Sequence, residues 1–307
     1  MNLLNFEELS DRWKNDKKNY VRLSSYSTYY TLLESHLLPA FGASTEVREE
    51  NVQEFILQKL RDGLSISTVK ELVLVLKMIL RYGASHGLCE RPEWNLRYPS
   101  AIRSFSAPTL TKDDVVKMLD TIRANPCYKG LGIYICVVTG LRIGEVCALR
   151  WGDLDLDAGV LHVRRTLSRV YVSDAVLPYS KLSFGSPKTI TSYRDIPLSD
   201  NLQRLVRYIM PGKDPGNYVL SDGPWPIEPR SYRNYFARFL KEVGIRRVRF
   251  HALRHFFATA CIEYGADYKT VSTLLGHSDV RTTLNLYVHP NQESKRNCVN
   301  KLSTVLG

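Results

Sequence analysis

The sequence predicts a mainly α-helical protein of two domains, the second of which contains a small antiparallel β-sheet. The chain has 307 residues, enough for two domains at about 100 to 200 residues each. Apolar residues recur at helical spacing over most of this length, whereas extended patterns occur at residues 160–163 and 188–198. Hydrophobic residues make up 44% and charged residues 24% of the chain. These globular proportions exclude a disordered or collagen-like protein.

The first domain, residues 1–89, is predicted to be a bundle of about four helices. Its apolar faces are formed, in chain order, by Tyr26, Tyr29, Tyr30, Leu33 and Leu37, by Val52, Phe55, Ile56 and Leu60, and by Leu72, Val75, Leu76, Ile79 and Leu80. We expect helix ends at residues 39–42 and at Gly63, and a helix cap at Ser67 or Thr68. Residues 90–108 contain three prolines and no clear period. They are predicted to be a linker, although a connection of this length could also contain a short helix.

The second domain, residues 109–307, is predicted to combine helices with a small sheet. Thr111 and Asp114 have the spacing of a helix cap, and an apolar helix follows near residues 131–138. Residues 160–163 alternate as a strand does, and residues 188–198 suggest a hairpin of two short arms. Helices resume after Pro229 and continue to the C-terminus.

The charge is distributed unevenly along the chain. Lys and Arg number 42 against 31 Asp and Glu, a net charge of +11, yet residues 1–105 carry 14 and 13. Nearly all of the positive excess therefore belongs to the rest of the chain. Such a field attracts polyanions, nucleic acid or an anionic membrane surface among them. A basic surface that only confers solubility is the alternative, and charge alone favours nucleic acid slightly.

Several function classes are disfavoured by what the sequence contains. The six cysteines form no Cys-x-x-Cys pair, which argues against a zinc site or a disulfide framework. The first residues are acidic where a signal peptide needs basic ones. No apolar run approaches the roughly 20 residues of a membrane span. We therefore expect a reduced, cytoplasmic protein with no membrane partner.

Four segments carry the side chains that could perform chemistry. They are Thr139-Gly-Leu-Arg142-Ile-Gly-Glu145, Pro187-Lys188-Thr189 with Arg194-Asp-Ile-Pro197, His251-Ala-Leu-Arg254-His255, and Leu275-Gly-His277 with Tyr287. His251 and Arg254 are three residues apart and should share a helix face. Gly276 should end a helix, with His277 at its C-terminal turn.

The composition of these segments suits a phosphate better than a metal. Their six candidate residues are two arginines, a lysine, two histidines and a tyrosine, without a carboxylate cluster, and guanidinium forks match phosphate oxygens. A tyrosine hydroxyl is a candidate covalent nucleophile. Taken singly, each segment has a structural explanation: a surface His–Arg pair, a half-buried tyrosine, a helix stop or an exposed turn lysine. The order and spacing of all four together favour function.

Together, the four segments resemble the tyrosine recombinase family, the phage-type integrases. The resemblance covers residues 108–290 as catalytic domain and, more weakly, residues 5–88 as helical core-binding domain. It implies an N-terminal helical bundle followed by a mixed α+β catalytic domain. It also implies six catalytic residues: Arg142, Lys188, His251, Arg254, His277 and Tyr287.

The resemblance implies a mechanism for each of these residues. Tyr287 would attack a DNA phosphate and form a 3′-phosphotyrosyl link. Arg142 and Arg254 would hold the non-bridging oxygens, Lys188 would protonate the leaving 5′-oxygen, His251 would exchange the tyrosine proton, and His277 would hydrogen-bond the phosphate. Neither metal nor ATP is implied as a cofactor. Glu145 would support the site, with a surface carboxylate in the first turn of a helix as the alternative.

The implied partners are double-stranded DNA recombination sites and three further copies of the chain, in a tetramer assembled on DNA. A directionality factor stays open as another partner. Two other functions stay open as well: a DNA-binding accessory protein that keeps the fold, and a topoisomerase-like enzyme that cuts and reseals one duplex. The sequence leaves undetermined the target site, the direction of exchange, the host element and whether the C-terminal tail packs in cis or in trans.

Overall fold

The computed structural model describes residues 4–99, 108–172, 179–185, 193–276, 296 and 300. The chain divides into two compact units, the first formed by Met1–Ser106 with Val170–Lys181 and the second by Ala107–Arg169 with Leu182–Gly307. Both are mainly helical, and the second contains a small antiparallel sheet, as predicted. Within the described residues, no helix is both long enough and apolar enough to cross a bilayer.

The helices of the first unit are α1 (Phe6–Lys17), α2 (Leu23–Leu32), α3 (Leu38–Phe41), α4 (Glu49–Arg61) and α5 (Ile66–Ser85). Helix α1 begins with a capping box in which Asn5 and Glu8 each accept the other's backbone N–H. The cap of α5 is Ser65, whose hydroxyl accepts from the Thr68 backbone N–H. The prediction of a cap at Ser67 or Thr68 was therefore wrong by two or three residues.

Helices α2 and α3 are joined without a break by a π-helical turn, Leu33–Leu37. The wider turn lies directly before Pro39, whose ring would collide with a carbonyl one regular turn earlier. The helix ends at Phe41, within the segment predicted to end it. Leu33, Leu37, Ile56, Leu72 and Leu76 have no exposed surface, so the predicted apolar faces form the core of this unit.

Residues 90–99 have no regular secondary structure, but they are attached to the first unit. Trp94, Leu96 and Tyr98 pack against its core. The backbone N–H of Arg97 donates to Gln53 on α4, and the Gln53 amide donates back to the Arg97 carbonyl. The domain boundaries at residues 89 and 109 stay a prediction.

The second unit begins with α6 (Lys112–Ala124), α7 (Tyr128–Thr139) and α8 (Ile143–Cys147), and ends, within the described residues, with α9 (Asp200–Ile209), α10 (Pro229–Glu242), α11 (His251–Glu263) and α12 (Tyr268–Leu275). Between α8 and α9 lie the strands β1 (Leu154–Asp155), β2 (Val160–Val163), β3 (Thr166–Val172), β4 (Tyr179–Gly185) and β5 (Arg194–Pro197). Thr111 and Asp114 form the predicted capping box. The core centres on α7, where Leu131, Ile133 and Ile135 are fully buried.

The sheet has the order β1-β2-β5, and both of its pairings are antiparallel. Strand β5 is the predicted second hairpin arm, but it pairs with β2, with Val163 opposite Arg194. The predicted first arm, residues 188–190, lies outside the described residues. Strands β3 and β4 form a separate ladder that the sequence did not predict, because among the described side chains of β3 only Leu167 and Val170 are buried.

Candidate active site

Arg142 lies just after the end of α7. Gly140 ends that helix in the left-handed conformation, with φ of 66°, and a Cβ there would lie 2.6 Å from Phe257 and 2.7 Å from Leu275. Two residues later, Arg142 takes the N-cap position of α8. Its side chain is 37% exposed, so the guanidinium remains open to a ligand.

Glu145 holds Arg142 in place from one turn further along α8. Its carboxylate accepts from the Arg142 backbone N–H at 2.9 Å and from Arg142 Nη1 at 2.9 Å. Only 4% of the Glu145 side chain is exposed, so the alternative of a surface carboxylate was wrong. Arg194 on β5 is its second partner, with Nη1 and Nη2 donating to the two carboxylate oxygens at 3.2 and 2.9 Å.

This pairing keeps the buried Glu145 ionised. Burial by itself would raise the pKa of Glu145, but hydrogen bonds and charge from Arg194, and then from Arg142, hold the pKa below its ordinary value. Arg194 lies within the second of the four segments, and the sequence patterns assign it no role. Its alternation with Ile196 along β5 was the available signal, because it places both side chains on the buried face of the sheet.

Arginines from three different elements donate hydrogen bonds to the last carbonyls of α12. We call the backbone carbonyls of Leu274, Leu275 and Gly276 the α12 carbonyl end. The Leu274 oxygen accepts from Arg194 Nε at 2.6 Å, and the Gly276 oxygen accepts from Arg142 Nη2 at 3.0 Å. Cations are favoured there, since the C-terminus of a helix carries the negative end of its dipole.

Arg254 meets Arg142 at a shared oxygen. The Leu275 carbonyl accepts from Arg254 Nη2 at 2.8 Å and from Arg142 Nη1 at 3.2 Å. Arg254 Nη1 donates to the Gly140 carbonyl at 2.9 Å, and the residue is only 3% exposed. The structure therefore brings the two predicted arginines together, and Arg254 also ties the end of α7 to the end of α12.

His251 lies one turn before Arg254 at the start of α11, as the His-x-x-Arg spacing predicted. It is open to solvent on one side, and its ring meets the His255 ring edge to face, with the centroids 4.6 Å apart. Partial burial, followed by the neighbouring His255, Arg254 and Arg142, lowers the pKa of His251 to about 4. The imidazole is therefore neutral near pH 7 and can accept a proton.

Three of the six predicted site residues lie outside the described residues. They are Lys188, His277 and Tyr287. Their roles stay predictions. Gly276, directly before His277, ends α12 in the left-handed conformation, with φ of 64°, as the sequence predicted.

The structure describes three of the predicted site residues, Arg142, His251 and Arg254, and guanidinium groups are of the kind that bind an anion. Arg142 and Arg254 place two guanidinium groups at one carbonyl, and Glu145 with Arg194 supports them from the buried side. Preplaced cations of this kind stabilise the charge that builds on phosphate oxygens in a transition state. Within the described part of the chain, no three His, Cys, Asp or Glu side chains are grouped as metal ligands.

Sequence profiles of two families match the chain. The profile described as "Phage integrase family" matches residues 108–294, which contain all six predicted site residues. The profile described as "Phage integrase, N-terminal SAM-like domain" matches residues 5–56, within the helical first unit.

Curated relatives are similar over most of the chain. A "Tyrosine recombinase XerC-like" protein of Caldanaerobacter subterraneus subsp. tengcongensis is 25% identical over 280 residues, covering 84% of this chain and 71% of its own. A "Tyrosine recombinase XerA" of Thermococcus onnurineus is 27% identical over 262 residues, covering 85% and 84%. A "Tyrosine recombinase XerC" of Xylella fastidiosa is 27% identical over 256 residues, covering 81% and 79%.

Solved structures share the fold at lower identity. The integrase of the Tn1549 transposon, in complex with a circular intermediate DNA, matches with a TM-score of 0.79 at 22% identity, covering 97% of this chain and 99% of its own. A lambda integrase tetramer bound to a Holliday junction matches with a TM-score of 0.67 at 18% identity, covering 93% and 78%. Because the family profile spans more than half of the sequence, the chain belongs to the phage integrase family, the tyrosine recombinases.

Proposed function

We propose that the chain is a site-specific DNA recombinase that cleaves and rejoins DNA through a 3′-phosphotyrosyl intermediate on Tyr287, with neither metal nor ATP. The observation that carries the proposal is the meeting of Arg142 and Arg254 at the Leu275 carbonyl. Two residues more than 100 positions apart, each from a motif of the family, thereby face one ligand position. Family membership supplies the chemistry, and this geometry supplies the phosphate site.

The first step is the binding of the scissile phosphate. Arg142 and Arg254 hold its two non-bridging oxygens, and His277 donates a further hydrogen bond. Charge-assisted bonds from two guanidinium groups are short and directional, so they fix the phosphorus for in-line attack. The partial exposure of Arg142 supports a binding face on the surface of the second unit, with the buried Arg254 beside it.

The second step exchanges one phosphate ester for another. The Tyr287 oxygen forms a bond to phosphorus while the bond from phosphorus to the 5′-oxygen breaks. His251, neutral because of its lowered pKa, takes the tyrosine proton as Lys188 gives a proton to the departing 5′-oxygen. One phosphoester bond is lost as another forms, so a 5′-hydroxyl from a partner strand can reverse the step.

Recombination requires this site in several copies. We propose that the partners are double-stranded DNA recombination sites and that four chains assemble on two duplexes. Residues 1–89 would be the core-binding domain, residues 90–108 the linker and residues 109–307 the catalytic domain. A directionality factor would be a further partner. The apolar residues Val299, Leu302 and Leu306 of the tail would dock on a neighbouring chain, with packing in cis as the alternative.

The direct test is covalent capture on DNA. Target duplexes would be enriched by binding from a random-sequence pool and then nicked, so that the fragment carrying the freed 5′-hydroxyl diffuses away. We expect a denaturant-resistant protein–DNA adduct that is absent in Tyr287→Phe. A chain that binds the same duplexes without forming an adduct would be an accessory protein. Plasmid relaxation without exchange between two sites would indicate a topoisomerase.

Lys188 has its own test within this scheme. We expect Lys188→Ala to slow cleavage of ordinary DNA. A substrate with a 5′-bridging sulfur at the scissile phosphate should restore the rate, because a thiolate leaves without needing a proton. Failure of that substrate to rescue the variant would show that Lys188 is not the general acid.

A further inference from the structure

We infer that Arg194 is a positioning residue for strand cleavage, which sets Arg142 through Glu145 and fixes the end of α12 through the Leu274 carbonyl. The inference rests on the proposed function, since its readout is DNA cleavage. It adds to the six predicted residues one that would touch no substrate atom and would act through groups that do.

The first observation is the burial of Arg194. Its side chain is 4% exposed, and strand β5 turns it inward opposite Val163 of β2. A fully buried guanidinium is costly unless it is paired and hydrogen-bonded. The structure supplies both the Glu145 carboxylate and a backbone carbonyl.

The second observation is that each carboxylate oxygen of Glu145 accepts hydrogen bonds from both arginines. Each oxygen accepts one bond from the Arg194 fork and one bond from Arg142, through Nη1 or the backbone N–H. Without Arg194, the Glu145 carboxylate would lose the more buried of its two arginine partners. Its orientation would then be less constrained. Arg142, which is 37% exposed, would then lose the group that aims it.

The third observation is that Arg194 also reaches the element that carries the next motif. Its Nε donates to the Leu274 carbonyl, one residue before the carbonyl that Arg142 and Arg254 share. One side chain thus connects β5, α8 and α12. These three segments are distant in sequence, and the bonds of Arg194 fix their positions relative to one another.

A second arginine–carboxylate ion pair in the same unit provides the matched control. Arg165 donates to both oxygens of Asp153, at 2.8 and 3.3 Å, and Asp153 accepts from the Arg150 backbone N–H. This pair has the same fork and the same capping bond. None of its described bonds reaches the α12 carbonyl end.

The charges around Glu145 predict a distinctive pH dependence. Arg142 from α8 and Arg194 from β5 lower the pKa of its carboxyl against the effect of burial. Cys136 of α7 faces it as a neutral thiol, and α12 contributes only backbone carbonyls. Four further charged or titratable residues line a small cavity with Glu145: Asp153, His162, Arg164 and Arg165.

Removal of Arg194 leaves the effect of burial opposed by Arg142 alone. The pKa of Glu145 should then rise, and a protonated Glu145 holds Arg142 less well. The rate of Arg194→Gln relative to the wild type should therefore fall as pH decreases. His162 lines the same small cavity as Glu145, so the variant Glu145→Gln/Arg194→Gln is needed to assign the effect to the Glu145 carboxyl.

The experiment measures single-turnover cleavage of the nicked duplex and affinity for the same duplex, between about pH 5.5 and 8. We expect Arg194→Gln to bind DNA within a few-fold of the wild type, to cleave it at least about tenfold more slowly, and to lose more rate at low pH. The double variant should show no such pH loss, and its rate deficit should be smaller than the product of the two single deficits. Arg165→Gln should cleave at the wild-type rate throughout.

Arg194→Lys covers the case in which the glutamine variant does not fold. Lysine keeps the charge beside Glu145 but cannot form the fork and reach Leu274 together, so cleavage should fall while DNA affinity stays. Cleavage by Arg194→Gln or Arg194→Lys at the wild-type rate would overturn the inference, as would an equal rate loss in Arg165→Gln. Absence of any adduct with the wild-type chain would instead refute the proposed function.

Discussion

Two carboxylates in the second unit have almost the same local structure and different surroundings. Glu145 and Asp153 each accept a hydrogen bond from the backbone N–H of the arginine three residues earlier. Each also accepts two hydrogen bonds from a second guanidinium group, that of Arg194 for Glu145 and that of Arg165 for Asp153. The two ion pairs differ in the further contacts of their arginines. The arginines around Glu145 continue to the α12 carbonyl end, whereas Arg165 forms its described bonds with Asp153 alone. What marks the site is therefore convergence on a third element rather than the ion pair itself.

The largest expected difference between the two pairs is in stability. Glu145→Gln removes the carboxylate that pairs with Arg194, whose side chain is 4% exposed, and this should lower the free energy of unfolding by about 3–5 kcal/mol. Asp153→Asn should cost only about 1–3 kcal/mol, because Arg165 is 30% exposed. Urea unfolding followed by circular dichroism would measure both. Equal losses would mean that the extra burial of the Glu145 pair carries no energetic weight.

The next difference concerns the two arginines at the N-caps. Arg142→Ala should slow single-turnover cleavage by about 10²–10³-fold, the usual effect of removing one preplaced donor from a transition state. Arg150→Ala should leave the rate within a few-fold, because its guanidinium is directed to the Tyr218 hydroxyl and ring. Quenched-flow cleavage assays would compare them. A comparable loss in the Arg150 variant would remove the distinction between the two clusters.

Two left-handed glycines extend the comparison to the backbone. At Gly265, with φ of 92°, a Cβ meets nothing within 4 Å, so Gly265→Ala should cost only about 1–2 kcal/mol of backbone strain. Gly140→Ala adds collisions with Phe257 and Leu275, worth about 1–3 kcal/mol more. Thermal unfolding of the two variants tests this. If Gly140→Ala is no less stable than Gly265→Ala, the close approach of α11 and α12 to α7 does not restrict the side chain at position 140.

The smallest expected effect belongs to His251. Its pKa in the folded chain is lowered to about 4 from an ordinary value of about 6.5, so the unfolded chain binds the proton first. The stability that comes from the neutral ring is complete above about pH 6.5 and is lost as pH falls toward about 4. Because the ring is open to solvent on one side, the loss should stay below about 1 kcal/mol. His251→Gln should lose less stability over that pH range than the wild type does. An equal loss of stability in the variant would contradict a lowered pKa for His251.

Local signals in the sequence predicted the frame of the site well. The Thr111–Asp114 cap, the strand Val160–Val163, the shared face of His251 and Arg254, and the helix end at Gly276 all depend on residues a few positions apart. Patterns of this kind follow from helix and strand geometry, which neighbouring residues determine. The fold class and the family followed from the same local patterns.

The supporting contacts could not be predicted in the same way. Arg194 bonds to residues 49 and 80 positions away, and its alternation with Ile196 indicates a buried face but does not identify these partners. The pairing of β5 with β2 is a long-range contact of the same kind. Arg254 also has a second function that the sequence concealed, because it satisfies the Gly140 and Leu275 carbonyls. Arg254→Lys is therefore a better probe than alanine, which would remove the side-chain donor of the Gly140 carbonyl and leave Arg142 as the described side-chain donor of the Leu275 carbonyl.

The measurement that tests the central claim most directly uses a neutral scissile phosphate. A methylphosphonate carries a methyl group in place of one non-bridging oxygen, so the charge that Arg142 and Arg254 are proposed to stabilise is absent. Single-turnover cleavage of phosphate and methylphosphonate duplexes would be compared for the wild type, Arg142→Ala and Arg254→Lys. The account predicts that each variant loses much less rate on the neutral substrate than on the charged one. An equal loss on both substrates would contradict it, since the two arginines would then not act on the phosphate charge.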